Sequence, residues 1–203
     1  MLKTTFLNNV LNQYKIKPYL VLLFLIIFSS TTFSETKLVI LGSGTPNPDP
    51  NRFGSGYAII VNEKAYIVDF GPGIVRRISA MSPSWGGEFS AMELENINIA
   101  FLTHIHSDHS GALADLILTP WVMGRDEPLK LFGPQGLKKM AKKITEAYED
   151  DINYRLYGSQ PANKLGYLTN VSEIFDDGLI YKDDKVEVTA FKNSHGDLED
   201  SFG

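Results

Sequence analysis

The sequence predicts one α/β domain, and three observations support that. Three short apolar runs, at residues 37–41, 57–61 and 65–68, have strand length and composition and lie close together as a meander. Beyond them, strand-like runs alternate with helical segments, the pattern of a sheet layered with helices. At 203 residues the chain is long enough for one domain with a substantial core. From Thr36 onward it shows no linker, repeat or low-complexity tract.

Each element has its own signal. Residues 37–41 (KLVIL) form the first strand and run into Gly42-Ser43-Gly44-Thr45-Pro46. Residues 47–54 are a Pro/Asn/Asp-rich loop. The runs at 57–61 and 65–68 make a hairpin through Asn62-Glu63-Lys64. Asp69-Phe70-Gly71-Pro72-Gly73 turns the chain into a helix over about 74–81, and 82–89 is a loop carrying an exposed Trp85. Residues 97–102 read as a strand. A helix then runs from Ser110 to about Leu118, where Pro120 ends or kinks it. Residues 129–132 are a short strand, and Gly133-Pro134 leads into a charged amphipathic helix over about 135–149. A final hairpin pairs 179–182 with 186–193 around Asp183-Asp184-Lys185.

Residues 1–34 do not belong to this domain. They hold Lys3, Lys15 and Lys17 and no acidic residue, then an apolar run at 19–28 and a small-residue stretch ending at Ser34. That is the layout of a secretory signal peptide cut after Ser34, or of an uncleaved N-terminal anchor. The run is short of the roughly 20 residues a membrane span needs. The expected location is therefore outside the cytoplasm, periplasmic or secreted. The chain has 19 Lys+Arg against 24 Asp+Glu; without the three lysines the balance is 16 against 24, or −8. Such acidity argues against tight, sequence-blind binding of nucleic acid. The absence of Cys removes disulfides and thiolate metal ligands together.

The chemistry concentrates in Leu102-Thr103-His104-Ile105-His106-Ser107-Asp108-His109. It holds three of the four histidines of the chain. Imidazoles and a carboxylate packed this tightly need a positive charge among them, and a divalent metal supplies one. The run sits between a strand and a helix, where a rigid scaffold presents catalytic groups. His104 and His106 are two apart in extended chain, so their rings fall on one side and reach one metal. Asp108 and His109 follow at the turn and can hold a second. Two zinc ions about 3.5–4 Å apart can share a hydroxide and polarise an ester oxygen, and iron or manganese suit the donor set too. The alternative is a run of surface histidines without a metal. His195, after the last apolar strand, is the candidate third protein ligand of the first metal, against the ordinary reading of a lone surface histidine. Asp69 either orients a ligand histidine or caps the next helix. Thr103 either donates to a group behind the ligands or closes the strand end.

The run matches the His-x-His-x-Asp-His signature in full and so resembles the metallo-β-lactamase fold superfamily. Leu41-Gly42-Ser43-Gly44-Thr45-Pro46, Val68-Asp69-Phe70-Gly71-Pro72-Gly73, His195-Gly196 and Ser201-Phe202-Gly203 resemble the branch of ribonuclease Z and its arylsulfatase-like relatives. Residues 118–125 look closer to the arylsulfatase-like group. The resemblance covers about 36–203 and implies an αββα sandwich with the site at one edge of its two sheets. It implies His104, His106 and His195 on one zinc and Asp108 and His109 on the other, with Asp108 also the candidate catalytic residue. A true β-lactamase is disfavoured because the zinc-dependent ones commonly use a Cys ligand. The family pattern places a bridging aspartate and a last histidine further on, so the sequence reads as C-terminally truncated and is expected to bind the second metal poorly.

The function expected from these readings is a dizinc hydrolase of phosphate or sulfate esters, acting on a small-molecule ester outside the cytoplasm. The alternative is 3′-end processing of transfer RNA in the manner of ribonuclease Z, with export and acidity counting against a nucleic-acid partner. A non-catalytic metal-binding fragment is the third reading, and a homodimer is an expectation of the family alone.

Overall fold

The computed structural model describes residues 35–159 and 161–203. The expected signal or anchor at 1–34 lies outside the described residues. No helix among the described residues is long and apolar enough to cross a membrane.

A six-stranded mixed sheet organises the domain, in the order β1-β2-β3-β4-β5-β6. β1 (Thr36–Gly42), β2 (Gly56–Val61) and β3 (Lys64–Val68) are the antiparallel meander, with Asn62 at a positive φ of 53° in the tight turn between β2 and β3. β4 (Ile99–Phe101), β5 (Leu129–Pro134) and β6 (Thr169–Ile174) add in parallel to β3. Parallel neighbours need crossovers, and helices supply them. α1 (Ile74–Met81) joins β3 to β4; α2 (Ser107–Ser110) and α3 (Leu113–Val122) join β4 to β5. α4 (Leu137–Ala147) and α5 (Glu149–Tyr157) join β5 to β6. A second sheet pairs β7 (Gly178–Lys182) with β8 (Glu187–Ala190).

Alternation along the strands gives each face of the main sheet its own core. One face, with Ile60, Ile67, Ala100 and Leu131, packs against Ile74 and Ile78 of α1, Leu116 and Trp121 of α3, and Leu137 of α4. The other face, with Val61, Tyr66, Ile99 and Phe101, packs against Ile180, Tyr181, Val186 and Val188 of the second sheet. Helices, sheet and sheet are therefore layered in the order α-β-β. Leu38 and Ile40 of the edge strand β1 are 64% and 60% exposed.

A polar strap holds the small sheet to the large one. The Asp183 carboxylate at the β7–β8 turn accepts from Lys64 Nζ (2.6 Å), Tyr66 Oη (2.7 Å) and Tyr181 Oη (2.8 Å). Burial alone would raise the Asp183 pKa, but these donors hold it well below the usual carboxylate range, while Lys64 is held above its ordinary value. The depressed carboxylate contributes stability above the unfolded Asp pKa of about 3.9 and loses it as pH falls through the folded pKa. The raised ammonium contributes below the unfolded Lys pKa of about 10.4 and loses it as pH rises through the folded pKa. Asp183→Asn should therefore cost about 2 kcal/mol. In urea melts of both proteins that difference should stay flat from about pH 5 to 9 and shrink below about pH 4. A difference that changes across the neutral range would contradict this account of the strap.

Several elements depart from the sequence expectation. The strand expected over 97–102 shortens to Ile99–Phe101, preceded by a 3₁₀ turn at Leu94–Asn96. The helix expected over 135–149 is two helices, Leu137–Ala147 and Glu149–Tyr157, because Tyr148 leaves helical geometry. β6 carries no signal in the sequence: its TNVSEI alternates only half-buried and exposed positions until Ile174. Pro120 does not end its helix, which continues to Val122. The reason is Arg125, whose buried guanidinium takes the Leu116 carbonyl that a residue-120 N–H would have bonded.

Candidate metal centre

Strands β3, β4, β5 and β6 run parallel, so their C-terminal ends share one edge, and the candidate site lies on it. The residue after β3 is Asp69, whose N–H donates to the Phe101 carbonyl at the end of β4 (2.8 Å). β4 delivers residues 102–106 as a loop, and α2 carries Asp108 and His109 back over it. The two loops lock together: the Ser55 N–H donates to the Asp108 carbonyl and the Phe70 N–H to the His109 carbonyl (2.9 and 2.7 Å). Gly71 is required there, since a Cβ would collide with the Asp108 carbonyl oxygen. His195 arrives from the second sheet, in a segment that folds back on itself. Phe191 and Gly203 exchange backbone hydrogen bonds, and the Phe202 N–H donates to the Thr103 carbonyl (3.0 Å).

Three histidines converge. One nitrogen from each of His104, His106 and His195 lies within 4.8 Å of the others. His106 Nδ1 and His195 Nε2 are 3.2 Å apart, and the His104 and His195 ring centroids 4.4 Å. Asp108 and His109 stand beside this trio as a pair, with Asp108 Oδ2 3.6 Å from His109 Nε2 and the His109 ring 4.0 Å from that of His104. All five residues named from the sequence thus occupy one neighbourhood, three of them as a set and two flanking it.

Asp69 orders the cluster. Its carboxylate accepts from His109 Nδ1 (2.7 Å), from the Thr103 N–H (2.8 Å) and from the Thr103 hydroxyl (3.0 Å). The hydroxyl hydrogen is thereby spent, so the Thr103 oxygen accepts from His104 Nδ1 (2.9 Å). Both imidazoles meet these partners through Nδ1, which leaves their Nε2 atoms as the candidate metal-facing nitrogens. Of the two roles left open for Asp69, the structure shows the orienting one: α1 begins after Gly73 with no side-chain cap. Asp69 also adopts a left-handed φ of 58°, a conformation uncommon for a residue with a side chain.

The donor set fits a metal. His104 Nε2 is buried and has no hydrogen-bond partner within the protein, which ordinarily costs about 1–3 kcal/mol. Burial, reinforced by His109 and His195, pushes the His104 pKa down to about 4, so this lone pair is available at neutral pH. Burial opposes the charged form of His109, but its hydrogen bond to Asp69 and the charges of Asp69 and Asp108 leave its pKa raised. Neutral imidazole nitrogens beside a carboxylate are ligands suited to zinc, iron or manganese. The return of residues 201–203 onto Thr103 has no signal in the sequence, because pairing between such short segments leaves no periodicity.

The sequence profile of the Metallo-beta-lactamase superfamily matches residues 49–152. This is just over half of the chain, and the chain belongs to that superfamily. Its relatives include a ribonuclease Z of Mycobacterium bovis (strain BCG / Pasteur 1173P2), 32% identical over 123 residues, covering 59% of this chain and 41% of the relative. A ribonuclease Z of Mycobacterium marinum is 28% identical over 170 residues, or 82% of this chain and 57% of the relative. Among solved structures, the short form of human tRNase Z superposes with a TM-score of 0.62 at 20% identity, over 81% of this chain and 62% of its own. A diphosphatase of the PhnP family gives 0.52 at 14% identity, over 83% and 63%. These two likenesses show the fold. The chain spans about half the length of the curated relatives it matches. The fold and the histidine cluster together imply metal binding.

Proposed function

We propose that this chain carries the metal-binding part of a phosphodiesterase of the ribonuclease Z type, acting on RNA. The observation that carries the reading is the convergence of His104, His106 and His195 beside Asp108 and His109, with the partnerless His104 Nε2 at its centre. The relatives named ribonuclease Z direct the choice of substrate class, and they favour it over the small phosphate or sulfate esters that the sequence put first. The acidity of residues 35–203 and the export expected from residues 1–34 stand on the side of a small ester.

In this reading His104, His106 and His195 hold one metal, and Asp108 and His109 contribute to a second. Zinc is the preferred ion. Bound there, the metal would supply an activated water and polarise a phosphoryl P–O bond at the phosphorus under attack. The protein's own part is orientation. Asp69 fixes the His109 ring and, through Thr103, the His104 ring, so neither ligand must reorganise as charge develops. The turn at residues 54–56 and Gly71 holds the Asp108 backbone. The test is hydrolysis by zinc-loaded protein of a stem–loop RNA with a 3′ extension, alongside bis(p-nitrophenyl) phosphate and p-nitrophenyl sulfate. Cleavage of the RNA supports the reading. Turnover of the sulfate alone would replace it with the esterase, and no turnover of any would remove it.

A further inference from the structure

We infer that the exposed lysines of α4 form a track for the phosphate backbone of an RNA running away from the metal centre, an inference that rests on the phosphodiesterase reading. Lys138, Lys139, Lys142 and Lys143 are all exposed. At i, i+1, i+4 and i+5 they lie on one side of the helix. They are four of the sixteen cations in residues 35–203, a region whose net charge is otherwise strongly negative. Concentrating positive charge at one helix of an acidic domain is what recognition of a polyanion requires.

The position of the helix gives the track a direction. β4 and β5 are parallel neighbours, so the chain leaves β4 into the histidine loop and leaves β5 into α4 at the same edge. The two exits touch: a Cβ on Gly133 would stand 2.9 Å from Leu102 Cβ, at the base of the histidine loop. Glu173 at the end of β6 pins the start of α4 by accepting from the Gly136 and Lys138 N–H groups (2.7 and 3.1 Å). The lysines therefore begin beside the edge that carries the metal cluster and continue away from it over the helix surface.

The charges around the strip are compatible with this use. Lys142 and Lys143 share one exposed carboxylate, Glu146, at 3.7 and 2.7 Å. Such surface pairs are worth little and exchange readily for phosphate. Among the described residues, Lys138 and Lys139 have no carboxylate within ion-pair distance. Glu149, Asp150 and Asp151 at the start of α5 bound the strip at its far end. A lipid surface is the less suited polyanion. The apolar residues of α4, among them Leu137, Met140 and Ile144, turn toward the core, leaving no apolar face to insert beside the lysines.

The experiment measures binding of zinc-loaded full chain to a 2′-O-methylated stem–loop RNA by fluorescence anisotropy across a salt series, for wild type, Lys138→Gln/Lys139→Gln and the four-lysine Gln variant. Lys182→Gln/Lys185→Gln, on the second sheet, is the control. Each phosphate that a variant no longer neutralises should lower the log–log salt slope by about 0.7–0.9. The double variant should bind about ten-fold more weakly at low salt with a slope reduced by roughly 1.4–1.8, while the control is unchanged. Equal affinity and slope in the four-lysine variant, with its thermal melt intact, would overturn the track. So would wild-type protein that ignores the RNA and sediments with phosphatidylserine vesicles through the same lysines. The phosphodiesterase reading fails separately: RNA binding through the lysines with no hydrolysis of RNA or bis(p-nitrophenyl) phosphate keeps the track and removes the activity.

Discussion

Arg125→Met should leave the chain without a stable native state at 25 °C. Arg125 is 1% exposed, and no carboxylate among the described residues pairs with it. Its guanidinium instead donates to four backbone carbonyls, those of Ile97, Leu116, Ile117 and Gly166, at 2.7–3.2 Å. The Leu116 carbonyl is the one Pro120 cannot serve, so Arg125 repairs the end of α3 and ties it to the approach to β4 and to the loop before β6. Burial pushes the Arg125 pKa down to about 10, which leaves it charged at neutral pH. Methionine fills much of the volume but withdraws the donor from four buried carbonyls, at up to about 1–3 kcal/mol each. The sum approaches or exceeds the 5–15 kcal/mol margin of ordinary domains. Circular dichroism melts should show no cooperative transition, and Arg125→Lys should recover only part of it, since an ammonium does not span the same carbonyls. A variant within about 1 kcal/mol of wild type would remove Arg125 from this role.

His104→Ala should have the largest effect on chemistry with little on folding. Losing the outer hydrogen-bond partner of a ligand histidine typically costs 10–100-fold in metal affinity or activity, roughly what Asp69→Asn should show here. Removing His104 itself should cost more, so phosphodiester hydrolysis should fall by well over about 100-fold. The buried Nε2 without a partner is a cost in the metal-free protein, so the metal-free alanine variant should melt no lower than about 1 kcal/mol below metal-free wild type. Full activity in His104→Ala would take the centre away from this cluster.

The site is more legible in the sequence than the fold because its signal is local. Four of its residues lie within residues 104–109, and one strand exit places them together whatever the rest of the sheet does. His195 follows from chemistry, as the missing third donor, and the small sheet brings it to the other two. Asp69 is visible only as two equal roles, since a carboxylate before Gly-Pro-Gly suits a cap as well as a hydrogen-bond partner. The meander and α1 follow apolar periodicity closely, to within a residue or two. β6 and the split of α4 from α5 are not legible, because tertiary pairing at the sheet edge decides the first and a single non-helical Tyr148 the second. The continuation of α3 past Pro120 depends on a side chain five residues on, beyond the reach of any local rule.

The most direct test of the central claim is calorimetric titration of zinc into metal-free protein, for wild type and for His104→Ala/His106→Ala/His195→Ala. Wild type should bind zinc tightly, and that binding should require the three histidines. Identical binding by the triple variant, or none by either protein, would contradict it.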